Sequence, residues 1–262
     1  MTNTTSHNQD SQPITNGLSK VPELTLLFWI LKITATTLGE VGGDAVSMSM
    51  KLGYLIGSAI FGVIFMALVI SQIKAKRFHP FLYWITIIAT TMLGTTLADY
   101  ATRDMGIGYA GGSSVLLALL AASLLTWYKV LGSVSIQSVS SPKSEMFYWV
   151  TIMFSQTLGT ALGDWTADTI GLGFGYGTLI FTGLLALVAA AYFWTKLSRT
   201  MLFWAAFILT RPFGAVLGDF LDKPKDEGGL DLNRFLVATI LGGFIIACIL
   251  IFKQRAAKTT GH

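Results

Sequence analysis

Cysteine, histidine and charge are all scarce in this sequence. The 262 residues include one cysteine, Cys248, and three histidines, His7, His79 and His262. One cysteine excludes a disulfide framework and a cysteine-based metal site. The histidines fall in the tails or a loop, so no apolar run contains one as a ligand or proton relay. Charged residues make up only 12% of the chain, against roughly 25% in a soluble domain. Hydrophobic residues reach 53%, with 17 Phe and 7 Trp, and the mean hydropathy is +0.63. That balance excludes a water-soluble globule and implies a polytopic, all-α membrane protein whose first partner is the lipid bilayer. No cofactor and no nucleic-acid partner is expected.

The opening 20 residues are polar and lack the basic-then-apolar order of a signal peptide. They read as a flexible cytosolic tail, with the first apolar helix acting as an uncleaved insertion signal. A membrane crossing takes about 20 apolar residues. Eight such runs fall near 24–45, 52–73, 80–101, 109–131, 145–166, 172–194, 199–220 and 233–252, with short loops that make neighbours antiparallel.

The runs repeat. Aligning Asp44, Asp99, Asp164 and Asp219 places a tryptophan fifteen residues earlier in each case: Trp29, Trp84, Trp149 and Trp204. An aromatic precedes each tryptophan: Phe28, Tyr83, Tyr148 and Phe203. Five residues before each aspartate stands Gly39, Gly94, Gly159 or Gly214, and directly before it Gly43, Ala98, Gly163 or Gly218. Nine residues after it comes Gly53, Gly108, Gly173 or Gly228. The chain is therefore four tandem two-helix units. The middle spacing, Asp99 to Asp164, is ten residues longer than the other two, which suggests two pairs of units joined by a looser linker. The expected organisation is a tail at 1–22, repeats at 23–79 and 80–133, a linker at 134–144, repeats at 145–198 and 199–252, and a basic tail at 253–262. In these features the sequence resembles a bacterial integral membrane protein family built of four tandem two-helix repeats of unknown function, each with a characteristic tryptophan. The resemblance implies the architecture and carries no activity.

Basic residues collect on one side of the runs, at Lys20, Lys74, Lys76, Arg77, Lys129, Lys143, Lys196, Arg199, Lys253, Arg255 and Lys258. By the positive-inside rule both termini are cytoplasmic, in a multi-pass protein of the inner (plasma) membrane. The acids gather at the opposite ends, where they attract cations. Asp104, Asp226, Glu227 and Asp231 read as solvated ends; the four aligned aspartates do not, because surface residues have no reason to keep one register.

On the first helix Lys32, Thr36, Glu40 and Asp44 follow at intervals of four and line one face. The equivalent stripes are Thr91, Thr95 and Asp99; Gln156, Thr160 and Asp164; Arg211, Ala215 and Asp219. Beside each stripe runs a face of small residues, Gly39 with Gly43 and its counterparts, suited to close helix contact. Even helices add Gly53 and Gly57, Gly108 and Gly112, and Gly173 and Gly177, read the same way. Ionisable groups in a membrane cost on the order of 3 kcal/mol each and face a bundle interior. The odd helices are thus expected to surround an acid-ended pathway, with Glu40 and the aspartates as partners for Arg211 and Lys32. Pro212 is expected to break its helix.

Carboxylate, hydroxyl and backbone oxygens suit a hard cation. The leading expectation is a transporter or exporter of a divalent metal such as manganese or magnesium, or of a proton-coupled monovalent ion. Its candidate ligands are Glu40, Asp44, Asp99, Asp164 and Asp219, its pathway residues include Thr36, Thr91 and Gln156, and Glu40 is the candidate proton carrier. An alternative cargo is a polar or anionic organic solute bound by Arg211 and Lys32, and a further alternative is a non-transporting membrane sensor or assembly component. An enzyme is not expected: the Gly-x-Gly-Asp signature of intramembrane aspartyl proteases fails in every copy, at Val41, Thr96, Ala161 and Val216, and no candidate nucleophile is present.

Overall fold

A computed structural model describes residues 19–169 and 173–257, with the side chains of Asp168 and Thr169 left undescribed. The tails before residue 19 and after residue 257, with Lys258, lie outside the described residues. Those described fold into helices α1 (Leu26–Asp44), α2 (Tyr54–Lys74), α3 (Pro80–Asp99), α4 (Gly108–Leu131), α5 (Pro142–Asp164), α6 (Gly173–Trp194), α7 (Arg199–Asp222) and α8 (Arg234–Ile251). Local chemistry starts several of them. Thr25, Ser198 and Asn233 cap the first amides of α1, α7 and α8, and Ser141 with Ser144 forms a capping box on α5. Pro80 and Pro142 open α3 and α5, where a missing N–H costs nothing.

Four odd helices form an inner ring in the order α1, α3, α5, α7, closing from α7 back to α1. The even helices lie outside. Only 11–28% of the most apolar stretches of α2, α4, α6 and α8 is buried, against 67% in α3 and 61% in α7. Leu55 and Val63 of α2, Val115 and Leu125 of α4, Leu179 and Leu187 of α6, and Leu236 and Leu250 of α8 all face outward. Six helices are long and apolar enough to cross a bilayer; α1 and α5, which carry much of the polar stripe, are the two that fall short. Exposed apolar helices with internally satisfied backbones are the form a chain takes in lipid.

Each even helix packs on the odd helix of the following unit: α2 on α3, α4 on α5, α6 on α7, and α8 back on α1. The unit of packing is therefore out of phase with the unit of sequence, and the last helix closes the ring on the first. A division into two pairs is not evident in this ring.

Glycines set its spacing. A Cβ built on Gly39 would stand 2.1 Å from Thr91 Oγ1, one on Gly94 2.9 Å from Gln156, one on Gly159 2.2 Å from Arg211, and one on Gly214 2.2 Å from Thr36. Each glycine thus admits the stripe residue of the next helix around the ring. Gly43, Gly163 and Gly218 do the same one turn on, against Thr95, Ala215 and Glu40. The column of Gly53, Gly108, Gly173 and Gly228 differs from expectation. A Cβ built on these glycines would meet nothing within 4 Å; each has a φ between 70° and 89° and lets the chain turn after the odd helix. Gly57, Gly112 and Gly177 do make the close contacts expected of them.

Pro212 does not break α7, which runs unbroken from Arg199 to Asp222. Its ring packs on the opening left by Gly159 on α5.

At the end where the odd helices begin, three segments close the bundle. Ser19 donates to the Ile136 carbonyl, Lys20 pairs with the buried Glu145 at 2.6 Å, and Pro22 bridges Ala256. The 134–144 segment is folded here, with Ile136 and Val139 buried, and Ser19–Pro22 pack against it and the extended residues 253–257.

Candidate functional site: a layered polar axis

The register of the ring stacks equivalent residues into five layers, each buried. The first is Phe28, Tyr83, Tyr148 and Phe203, with the two tyrosine hydroxyls 2.7 Å apart. The repeat tryptophans brace it from the neighbouring helix: Phe28 meets Trp84, Tyr83 meets Trp149, and Phe203 meets Trp29. At the fourth joint Trp127 of α4 intervenes between Tyr148 and Trp204. Trp84 and Trp204 donate their indole N–H groups to Gln254 and the Val134 carbonyl, which ties this layer to the closing segments.

The second layer is Lys32, Ile87, Ile152 and Phe207. Lys32 does not find the carboxylate expected for it. Its ammonium sits 4.2 Å from the Phe207 ring centroid and has no hydrogen-bond partner. Glu40 lies two helical turns away on the same helix and is already held by Arg211.

The third layer is Thr36, Thr91, Gln156 and Arg211, all fully buried. Thr36 donates to the Thr210 carbonyl and Thr91 to that of Ala35, the same bond at successive joints of the ring. The amide of Gln156 has no partner at either end. In the fourth layer, Glu40, Thr95, Thr160 and Ala215, the guanidinium of Arg211 finds its partners. It contacts Glu40 Oε2 at 2.9 Å and donates to Thr95 Oγ1 at 2.6 Å and to Thr160 Oγ1. Glu40 also accepts from Thr95 at 3.3 Å. Arg211 is thereby the central tie between all four odd helices, and the expectation that it pairs with Glu40 holds.

The fifth layer brings together the four aspartates, each buried. They are bridged in twos. Arg103 spans Asp99 and Asp164, at 3.1 Å to each, and Lys223 spans Asp44 at 2.6 Å and Asp219 at 3.3 Å. The bridged twos couple the second unit to the third and the fourth to the first. Arg234 adds a contact to Asp44 at 3.7 Å while being held by Asp222 at 2.5 Å. Burial alone would lower the Lys223 ammonium, but Asp219, Asp44 and Asp222 outweigh it and hold it well above the ordinary lysine range.

Glu40, Asp44 and Asp219 each offer an oxygen within 4.8 Å of the others, an arrangement with the donor type and separation a hard cation takes. Asp44 Oδ1 is buried and has no hydrogen-bond partner. Asp104, Asp226, Glu227 and Asp231 are exposed, as solvated ends should be. Sequence reasoning missed Arg103, Lys223, Asp222 and Arg234. For the first two a signal was present: Met48, Arg103, Asp168 and Lys223 stand one turn after the aligned aspartates.

A family model for the Repeat of Unknown Function DUF347 matches the chain four times, over residues 27–78, 82–132, 147–198 and 202–257. The chain belongs to the DUF347 family. The DUF347 repeats begin and end within a few residues of α1–α2, α3–α4, α5–α6 and α7–α8, so the family unit is the sequential helix pair, while the packed unit straddles two repeats. No curated protein and no solved structure matches the chain.

Proposed function

We propose that this protein moves a small hard cation across the inner membrane, through the axis of the odd-helix ring. All eight helices span in this reading, both termini are cytoplasmic, and the aspartate layer lies at the outer mouth. The carrying observation is the convergence of Glu40, Asp44 and Asp219 within 4.8 Å inside a bundle whose outer surface is apolar. Evolving buried carboxylates for stability alone is a poor bargain in a membrane, since they are tolerated there mainly along ion and proton paths. Oxygen-only donors favour manganese or magnesium, or a proton-coupled monovalent ion, over soft metals. The axis is closed in the present conformation, by the aromatic layer at one end and by Lys223, Arg103 and Arg234 at the other. Alternating access would open these in turn.

Elemental analysis of cells lacking and overexpressing the protein tests the proposal. A reciprocal change in one hard cation between the two strains is the expected result; unchanged contents for manganese, magnesium, sodium and potassium contradict it. One observation favours a second reading, transport of a polar or anionic organic solute: the Lys32 ammonium and the Gln156 amide are buried without partners and are donors such a solute would use. In that case Lys32→Met and Gln156→Leu each abolish export of the solute while cation content stays constant.

A further inference from the structure

The two bridges across the aspartate layer are not equivalent. Arg103 offers a planar, delocalised fork that satisfies Asp99 through Nε and Asp164 through Nη2. Its side chain is 32% exposed, and it binds from the rim. Lys223 offers a compact point charge on a flexible stem, 9% exposed, between Asp44 and Asp219. Its ammonium has the Asp44 oxygen at 2.6 Å, the Asp219 oxygen at 3.3 Å and the Met48 sulfur at 3.9 Å. Among the described residues, these two carboxylates and Glu40 bring three oxygens close enough to share a metal ion. A tethered cation therefore already sits between two of the three ligand carboxylates, while the third, Glu40, is held by Arg211.

Two further observations separate this half of the layer from a mere ion pair. Asp44 Oδ1 is buried and unpartnered, so the ammonium leaves ligand capacity unused inside the cluster. Arg234, the other cation nearby, is drawn off by Asp222 at 2.5 Å and reaches Asp44 only at 3.7 Å. Lys223 also lies just beyond the end of α7, before Pro224, where the backbone leaves the helix for the exposed loop through Lys225, Asp226 and Glu227.

We infer that Lys223 is a built-in place-holder for the cargo: its ammonium neutralises Asp44 and Asp219 while the site is empty, and an arriving divalent cation displaces it outward. This rests on the cation reading above. It makes empty and loaded sites similar in charge, which lowers the cost of keeping the carboxylates ionised when no cargo is bound. It also sets the apparent affinity, because cargo binds only the fraction of molecules whose lysine has swung away.

The test uses the full chain in lipid nanodiscs, with Mn²⁺ as the probe and Mg²⁺ in parallel. Lys223 is acetylated with a water-soluble amine reagent, its rate is followed by mass spectrometry, and exposed Lys225 serves as the internal reference. Saturating Mn²⁺ is expected to speed labelling of Lys223 by about tenfold, in line with release from a largely occupied state, and to leave Lys225 unchanged. Lys223→Met is expected to bind Mn²⁺ at least about tenfold more tightly, while Lys223→Arg keeps the pair and the low affinity. Binding of Mn²⁺ with no change in Lys223 labelling overturns the place-holder and leaves the cation reading standing. Failure of both metals to bind wild type and Lys223→Met overturns both.

Discussion

The two halves of the axis share one backbone plan and differ in chemistry. In the half that begins with Phe28, Tyr83, Tyr148 and Phe203, the layers are closed by ring packing, and the repeat tryptophans fasten three joints directly and the fourth through Trp127. In the half that ends with the aspartates, the same register is closed by Arg211, Arg103 and Lys223. Packing is non-directional and persists when one group is trimmed. Ion pairs in a low-dielectric interior are exchangeable, and costly when one partner is lost. The difference teaches that glycine contacts set the helix spacing in the polar half and aromatic packing sets it in the other, while the identity of the stripe residues decides which half holds and which can open. Lys32 is the exception, a lone cation in the packed half.

The largest effect expected from breaking this contrast is at Arg211. Arg211→Met leaves Glu40 buried without its counter-charge and is expected to cost about 3–5 kcal/mol, read as a fall in unfolding midpoint in detergent. Adding Glu40→Gln should recover most of that loss; no recovery would mean that Arg211 acts through packing. Next come the glycines that space the polar half. Gly214→Ala puts a methyl 2.2 Å from Thr36 Oγ1, with the Thr36 backbone behind it, and is expected to cost about 1–3 kcal/mol. Gly53→Ala meets open space, but its φ of 77° with ψ of 165° is a backbone region almost confined to glycine, so it is expected to cost about 1–3 kcal/mol through strain alone, read in the same melt. Lys32→Met should go the other way. It removes an ammonium that has no hydrogen-bond partner, and the midpoint is expected to rise, by roughly 1 kcal/mol or more. A drop instead would show that the Phe207 contact outweighs the burial. The smallest effect belongs to the packed half: Tyr83→Phe deletes one hydroxyl bond to Tyr148 and is expected to cost about 1 kcal/mol.

Much of the inner ring was legible in the sequence because its columns repeat in residue type. Asp44, Gly39 and Trp29 recur at fixed offsets, and the helical period then places the stripes on one face. What stayed hidden has physical reasons. An even helix such as α2 is apolar on all sides, so nothing in its sequence distinguishes its own α1 from the following α3 as the partner. The bridging column, Met48, Arg103, Asp168 and Lys223, changes type in every unit, and comparing units conceals it. Gly53 and its counterparts look like contact glycines, yet only the backbone reveals that they turn the chain at positive φ. Pro212 reads as a breaker until the gap at Gly159 is seen to receive its ring.

The most direct measurement of the central claim is cation flux into proteoliposomes carrying wild type or Asp44→Asn, both reconstituted as folded protein. The account predicts Mn²⁺- or Mg²⁺-dependent flux for wild type and its loss in the variant, because Asp44 belongs to the ligand cluster and is the nearer of the two carboxylates that Lys223 bridges. Equal flux through both would contradict it.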